Sequence, residues 1–476
     1  MRSTHDPRPR LARTLLAACL LGGAPGCGWK LDPGPAPLVE AQRVAVLTVA
    51  GDGRAAELVV AVRAGSAYDP VGREGLAWQV AHAIVPSGQD GLGEIEGAEA
   101  WAPLGALPSV EVGPEIVRFR VEVPPERAVE AAALLARQVG AASAGPRALE
   151  AARLAAAQAA APERQAPLEL AGHLLRWMVY EGHPYGHAPT GSAQGALRIT
   201  ALDVQQFVDR RYLRAVIAAG VGGLAEGAPE VALAADGLRA GLEQRPPRLS
   251  RDVTPRLPPT RAARTALITG PTGADQDAIT LGQSLDLSLQ HADGAAVLVA
   301  AEALSARLDG ALGGQARLSA GLVEPFASVQ AQLQISILGP PDDLRPFLAR
   351  ALREIELFAQ DGVRADELER AKRAALDLAR RPDGLLGRAS AAALLDAPDP
   401  RLALPERVEA LTPALVNAAI ARWIHPDQLA IAVAARDPEG MRAAFSEVSG
   451  ASSVQPDGYD LNVKSLTVVS YEELHR

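Results

Sequence analysis

Cysteine is almost absent: the 476 residues hold two, Cys19 and Cys27, both near the start. The remaining body therefore has no disulfide and no thiolate metal site. Sustained basic runs are also missing and the formal charge is −9. That argues against nucleic acid as a partner, because clustered Lys and Arg must offset phosphate charge. No Gly-x-Ser-x-Gly, P-loop or Cys-pair motif occurs, and GQDGLGEIEG (88–97) does not complete Gly-x-Gly-x-x-Gly. What is present is a globular composition, 48% hydrophobic and 22% charged, in a chain too long for one ordinary core.

The start has arginines at 2, 8, 10 and 13, a short apolar run from Leu15 to Leu21, and then GGAPGC. It reads as a secretory signal, too short to span a membrane. The ending resembles a bacterial lipobox, with Cys27 as the lipidated residue, Cys19 as the alternative, or simple cleavage without lipid. Export to the periplasm or outer membrane is the expectation. Residues 28–42 form a Pro-rich tether, and 243–261 a second Pro-rich break that reads as a linker.

The flanked segments, 43–242 and 262–449, read as copies of each other. VLTVAGDGRAAELVVAVRAGS (46–66) is matched at an offset of 220 by ALITGPTGADQDAITLGQSLD (266–286). Each pair of strand-like runs leads into an apolar helix, then a strand and a Pro-Pro turn (VEVPPERAV against SILGPPDDL). Each copy then reaches a Thr-led helix before a buried strand, ITALDVQQFV against LTPALVNAAI. Shared order implies a tandem duplication, and strands separated by helices imply an α+β fold with helices on a mostly antiparallel sheet. The tail, 450–476, is weakly patterned except for LNVKSLTVVSY, which reads as one edge strand.

Four segments, VRAGSAYDPVGREGLA (62–77), HPYGHAPTGS (183–192), ITALDVQQFVDRRYL (199–213) and GVRADELERAKRAAL (362–376), resemble the M16 peptidase family of pitrilysin, insulinase and mitochondrial processing peptidase. The resemblance implies a two-domain M16 fold. Active members carry His-x-x-Glu-His, in which two histidines one helical turn apart bind Zn²⁺ and the Glu activates its water. Aligned on GLA, the three positions hold Trp78, Ala81 and His82. Indole nitrogen only donates, and alanine cannot take a proton.

A third ligand is expected on RALEAARLAAAQAAAPERQ (147–165), where the carboxylates are Glu150 and Glu163, and Glu163 follows a proline. The Arg and Tyr that hold substrate in active members fall in LGGQARLSAG, with Gly313 and Ala320 at their positions and Arg317 nearby. His82 then reads as a packed helix residue. His183 and His187 are separated by Pro184 and Gly186 and cannot share a regular helix face. No catalytic residue and no metal are expected, with His82 and Glu150 the weak zinc candidates. The resemblance implies a non-catalytic subunit or scaffold paired with a catalytic M16 chain or with itself. An extended peptide would add to an edge strand near GAEAWAPLG, at Glu99, Ala100 and Trp101. The alternatives are an active zinc endopeptidase with an altered metal site, drawing on His82, His183, His187 and Glu150, and a structural envelope lipoprotein.

Overall fold

Valine-rich runs with a two-residue period build the strands. In the computed structural model VRFRVEV, Val117–Val123, alternates between buried and less buried positions, so one face meets the core. AELVVAV, Ala56–Val62, and IAAGVG, Ile217–Gly222, are buried on both faces and sit mid-sheet.

With β1 at Ala45–Val49, β2 at Ala56–Val62, β3 at Ser109–Val112, β4 at Val117–Val123 and β5 at Ile217–Gly222, the first sheet has the order β1-β5-β2-β4-β3. The two strand-like runs at 46–66 do not pair with each other, because β5 lies between them, parallel to β1 and antiparallel to β2. The second sheet repeats this arrangement. Its strands β6 (Thr265–Gly270), β7 (Asp277–Leu285), β8 (Arg317–Val323), β9 (Ala331–Gly339) and β10 (Ala430–Ala434) run β6-β10-β7-β9-β8, with the same parallel and antiparallel pairings. The tail contributes β11, Ser465–Ser470, parallel to the outer side of β6. The duplication is therefore a duplication of topology, and the fold is α+β with two mixed sheets.

Helices of the first half are α1 (Leu76–Ile84), α2 (Ala128–Ala141), α3 (Pro146–Ala159), α4 (Pro167–Val179), α5 (Ala193–Arg198), α6 (Ala201–Arg211) and α7 (Pro229–Leu242). Those of the second are α8 (Gly294–Leu312), α9 (Pro341–Asp361), α10 (Ala365–Arg380), α11 (Pro400–Glu409), α12 (Pro413–Trp423) and α13 (Pro438–Ser446). Threonines 200 and 412 cap α6 and α12 at equivalent places. Helix α4 crosses between the halves. Its Leu174, Leu175 and Met178 pack on Ala430 and Ala432 of β10, and Leu170 and Ala171 on Ala278 and Ala434.

The described residues are 43–85, 99–159, 165–246, 263–314, 317–323, 331–380, 387, 400–446, 461 and 463–470, all within one compact unit, Leu38–Arg476. The signal and lipobox with Cys19 and Cys27, the tether, GQDGLGEIEG, Glu163 and most of the linker fall outside them. Among the described residues no helix is long and apolar enough to cross a membrane.

In the second half Arg307 on α8 clamps Glu367 on α10, donating through Nε at 2.8 Å and Nη2 at 2.7 Å, with Arg307 stacked 4.9 Å from the Phe358 ring. Those hydrogen bonds hold the Glu367 carboxyl below the ordinary carboxylate range. A depressed acid adds stability that is present above its unfolded pKa, about 4.3, and is lost as pH falls through the folded value. Glu367→Gln should lower stability at neutral pH by about 1–3 kcal/mol and flatten the acid limb of a melting-temperature profile.

Candidate functional site

The segment before α1 is shaped by two glycines. Gly75 sits at φ 94° and Gly191 at φ 68°. A β-carbon on Gly75 would collide with the Thr190 carbonyl, and one on Gly191 with the Glu74 carbonyl. VGREGLA and APTGS therefore meet backbone to backbone. Asp69 closes the start of α1, its carboxylate accepting from Gly75 N and Ala77 N, each at 2.7 Å. Arg73 reaches Asp203 at 3.2 Å, and Asp203 forms the capping box of α6 with Thr200.

Every residue of α1 is buried. The Trp78 and His82 rings stack at a centroid distance of 3.7 Å with 19° between planes. His82 Nδ1 lies 2.9 Å from the Trp78 carbonyl, which only accepts, so the proton is on Nδ1. The indole packs on Ala148, Ala152, Ala155 and Ala156 of α3 and on Ala196, and Gln79 Nε2 donates to the Ala196 carbonyl at 2.9 Å. Alanines thus leave room for an indole, whereas Ala81 faces the sheet core. Glu150 lies on the other side of α3, 57% exposed and paired with Arg153 at 2.9 Å.

These residues do not fit a catalytic zinc, which needs three protein ligands and a base for its water. The face of α3 toward Trp78 is alanine, position 78 has no lone pair, and position 81 has no acceptor. Among the described residues no three His, Cys, Asp or Glu side chains are grouped to hold a metal.

HPYGH forms a 3₁₀ turn, Pro184–Gly186, in which His183 Nδ1 accepts from Tyr185 N at 3.2 Å. His187 Nδ1 lies 3.0 Å from the Ala188 carbonyl. Tyr185 donates its hydroxyl to the buried carboxylate of Glu115, in the β3–β4 turn. Burial and then that carboxylate push the Tyr185 pKa up, keeping the phenol a donor. Nearby, Arg63 Nε donates to the Tyr68 hydroxyl at 2.7 Å, and the Arg211 guanidinium lies 4.4 Å from the Tyr68 ring centroid. Asp69, Glu115 and Tyr185 were not singled out from the sequence. An Asp-Pro ahead of a helix hints at Asp69, but nothing local in GPEI marks Glu115.

In the second half Gly313 ends α8 in the left-handed conformation, its N–H donating to the Asp309 carbonyl at 3.1 Å. Ala320 lies on β8 opposite Ile335, packed on the second core, and Arg317 begins that strand, exposed. The expected edge strand at Glu99, Ala100 and Trp101 is not there. Residues 99 and 100 lie in a turn, 102–104 form a 3₁₀ turn, and Trp101 is fully buried with Nε1 donating to Gln138 at 3.0 Å. An indole with a partnered N–H favours the core over an exposed edge, and the edge strand there is β3.

Two homologous-topology halves joined through α4 define an M16-like fold. Neither a family model nor a curated protein matches the sequence. Solved structures match it in fold. A peptidase M16 inactive domain from Pseudomonas fluorescens superposes with TM-score 0.68 at 20% identity, over 84% of this chain and 98% of its own. A protease from Helicobacter pylori gives TM-score 0.67 at 15% identity, over 84% and 99%. A chain of Candida albicans complex III2 gives TM-score 0.66 at 12% identity, over 86% and 99%.

Removing the indole should leave a cavity, so Trp78→Ala should cost about 3–5 kcal/mol in a denaturant titration. Tyr185→Phe, which takes a donor from a buried carboxylate, should cost about 1–3 kcal/mol in the same measurement.

Proposed function

We propose that this chain is a catalytically inactive member of the M16 peptidase family, acting as the non-catalytic partner subunit or scaffold of a peptidase complex in the cell envelope. The observation that carries the reading is the Trp78–His82 stack, with alanine at position 81, on the helix where the family's chemistry requires two imidazoles and a carboxylate. The fold itself is retained, so what remains available is surface rather than reaction. The P. fluorescens relative is described as an inactive domain, and the C. albicans one belongs to a multi-subunit assembly; both support a non-catalytic, assembling role. Gly313 and Ala320 supply neither cation nor phenol for a partner's substrate, which favours chamber wall or regulation over completion of a partner's site. The arginines, short apolar run and Cys27 near the start support export and lipid anchoring.

Affinity purification from the native envelope, followed by peptide cleavage with and without the co-purifying chains, tests this. The expected outcome is no cleavage by this chain alone and a co-purifying chain with intact His-x-x-Glu-His. Cleavage by the lone chain that disappears in His82→Ala would establish the altered-site endopeptidase instead. Purification with no peptidase chain at all would favour a structural lipoprotein.

A further inference from the structure

The duplication supplies an internal comparison. In the first half α2 follows β4 through the Pro-Pro turn, α7 follows β5, and the two helices pack on each other. A β-carbon on Gly140 would meet the Gly241 carbonyl, and one on Gly241 would meet Ala136, so the helix backbones touch there. In the second half the equivalent pair is α9, after β9, and α13, after β10. Between these two lies a cavity of about 1030 Å³.

The charges on its walls are sorted by sign. Asp277, Asp342 and Asp437 gather at one end, where β7, α9 and α13 begin. Asp277 is 1% exposed and accepts from Arg436 N at 2.8 Å, and Asp437 accepts from Gly440 N at 3.0 Å. A β-carbon on Gly440 would strike the Asp437 carboxylate, so glycine there leaves the acid its place. Arg436 also lines this end, but its Nη2 donates to the Asp275 carbonyl at 2.7 Å. Further along α9, on the face that carries Asp342, come Arg345, Pro346 and Arg350. From position 342 to position 350 the helix rises about 12 Å. Met441 and Ala444 of α13 make the facing wall apolar.

We propose that this cavity binds a short peptide by its two free ends, the terminal ammonium at the three aspartates and the terminal carboxylate at Arg345 and Arg350. A ligand of one sign would be opposed by half of the lining, whereas a zwitterion meets both halves. The spacing sets the length: at about 3.3 Å per residue, an extended chain of four residues covers the distance. The apolar wall favours small, uncharged side chains between the two ends. Residues 447–460, EVSGASSVQPDGYD, which follow α13 in sequence, hold no lysine, arginine or histidine and no terminal amine. They therefore cannot answer the acids. The site is in the other half from α1, needs no catalytic residue, and stands whether or not the peptidase reading does.

The probe is tetra-alanine with free termini, titrated onto the full chain by calorimetry. Saturable binding is expected. N-acetylation and C-terminal amidation should each weaken it about tenfold or more, since each removes one charge-assisted contact. Asp342→Asn should shrink the penalty for acetylation alone, and Arg350→Ala the penalty for amidation alone. Both residues are exposed, so neither change disturbs the core. Four outcomes would each overturn the proposal. One is no binding at millimolar peptide. Another is equal binding of the acetylated peptide, which would make the cavity a site for anions alone. The third is equal binding of the amidated peptide, which would make it a site for cations alone. The fourth is binding that neither variant alters, which would place the peptide elsewhere on the chain.

Discussion

The contact between Gly75 and Gly191 fixes the first half of this molecule. Two loops distant in sequence press together where no side chain can intervene, and the carbonyls of Thr190 and Glu74 fill the space. With that contact set, Asp69 can cap only one register of α1, and Arg73 can reach only one end of α6. Backbone contact and the Asp69 cap hold the start of α1 without using the side chains at 78, 81 and 82. Whether positions 78, 81 and 82 carry chemistry is then a matter of residue type alone, and a chain can lose the reaction while keeping the scaffold.

Packing shows what occupies the α1 face. A metal-binding helix face is polar and would leave a void if its ligands were simply deleted. Here the stacked rings of Trp78 and His82 occupy that face, and six buried alanines of α3, α1 and the α5 segment close around the indole. Larger residues at Ala152 or Ala156 would overpack it. The second half is tied to the first by α4, whose buried apolar residues lie on β7 and β10 of the second sheet, an apolar contact rather than a polar seam.

Much of this is legible in the residues. The offset of 220 between β1–β2 and β6–β7, the Pro-Pro turns and the capping threonines all mark the duplication, because period and cap chemistry are local properties. The tail strand at 465–470 is visible for the same reason. What stays hidden is non-local. Nothing in PLELAGHLLRWMV says that α4 will bury its leucines on the other half's sheet. Glu115 becomes meaningful only when Tyr185 is brought against it. GAEAWAPLG reads as an edge only through the family resemblance, whereas Trp101 donates to Gln138 and is buried in a turn whose residues 99, 100, 102 and 103 stay exposed.

The central claim is that the α1 face is a packed core and not a metal site. Equilibrium zinc binding to the purified chain, compared with His82→Ala, tests it most directly. The account expects no stoichiometric zinc that depends on His82, so both proteins should bind alike. One tightly held, chelator-sensitive zinc per chain that is lost in His82→Ala would contradict it.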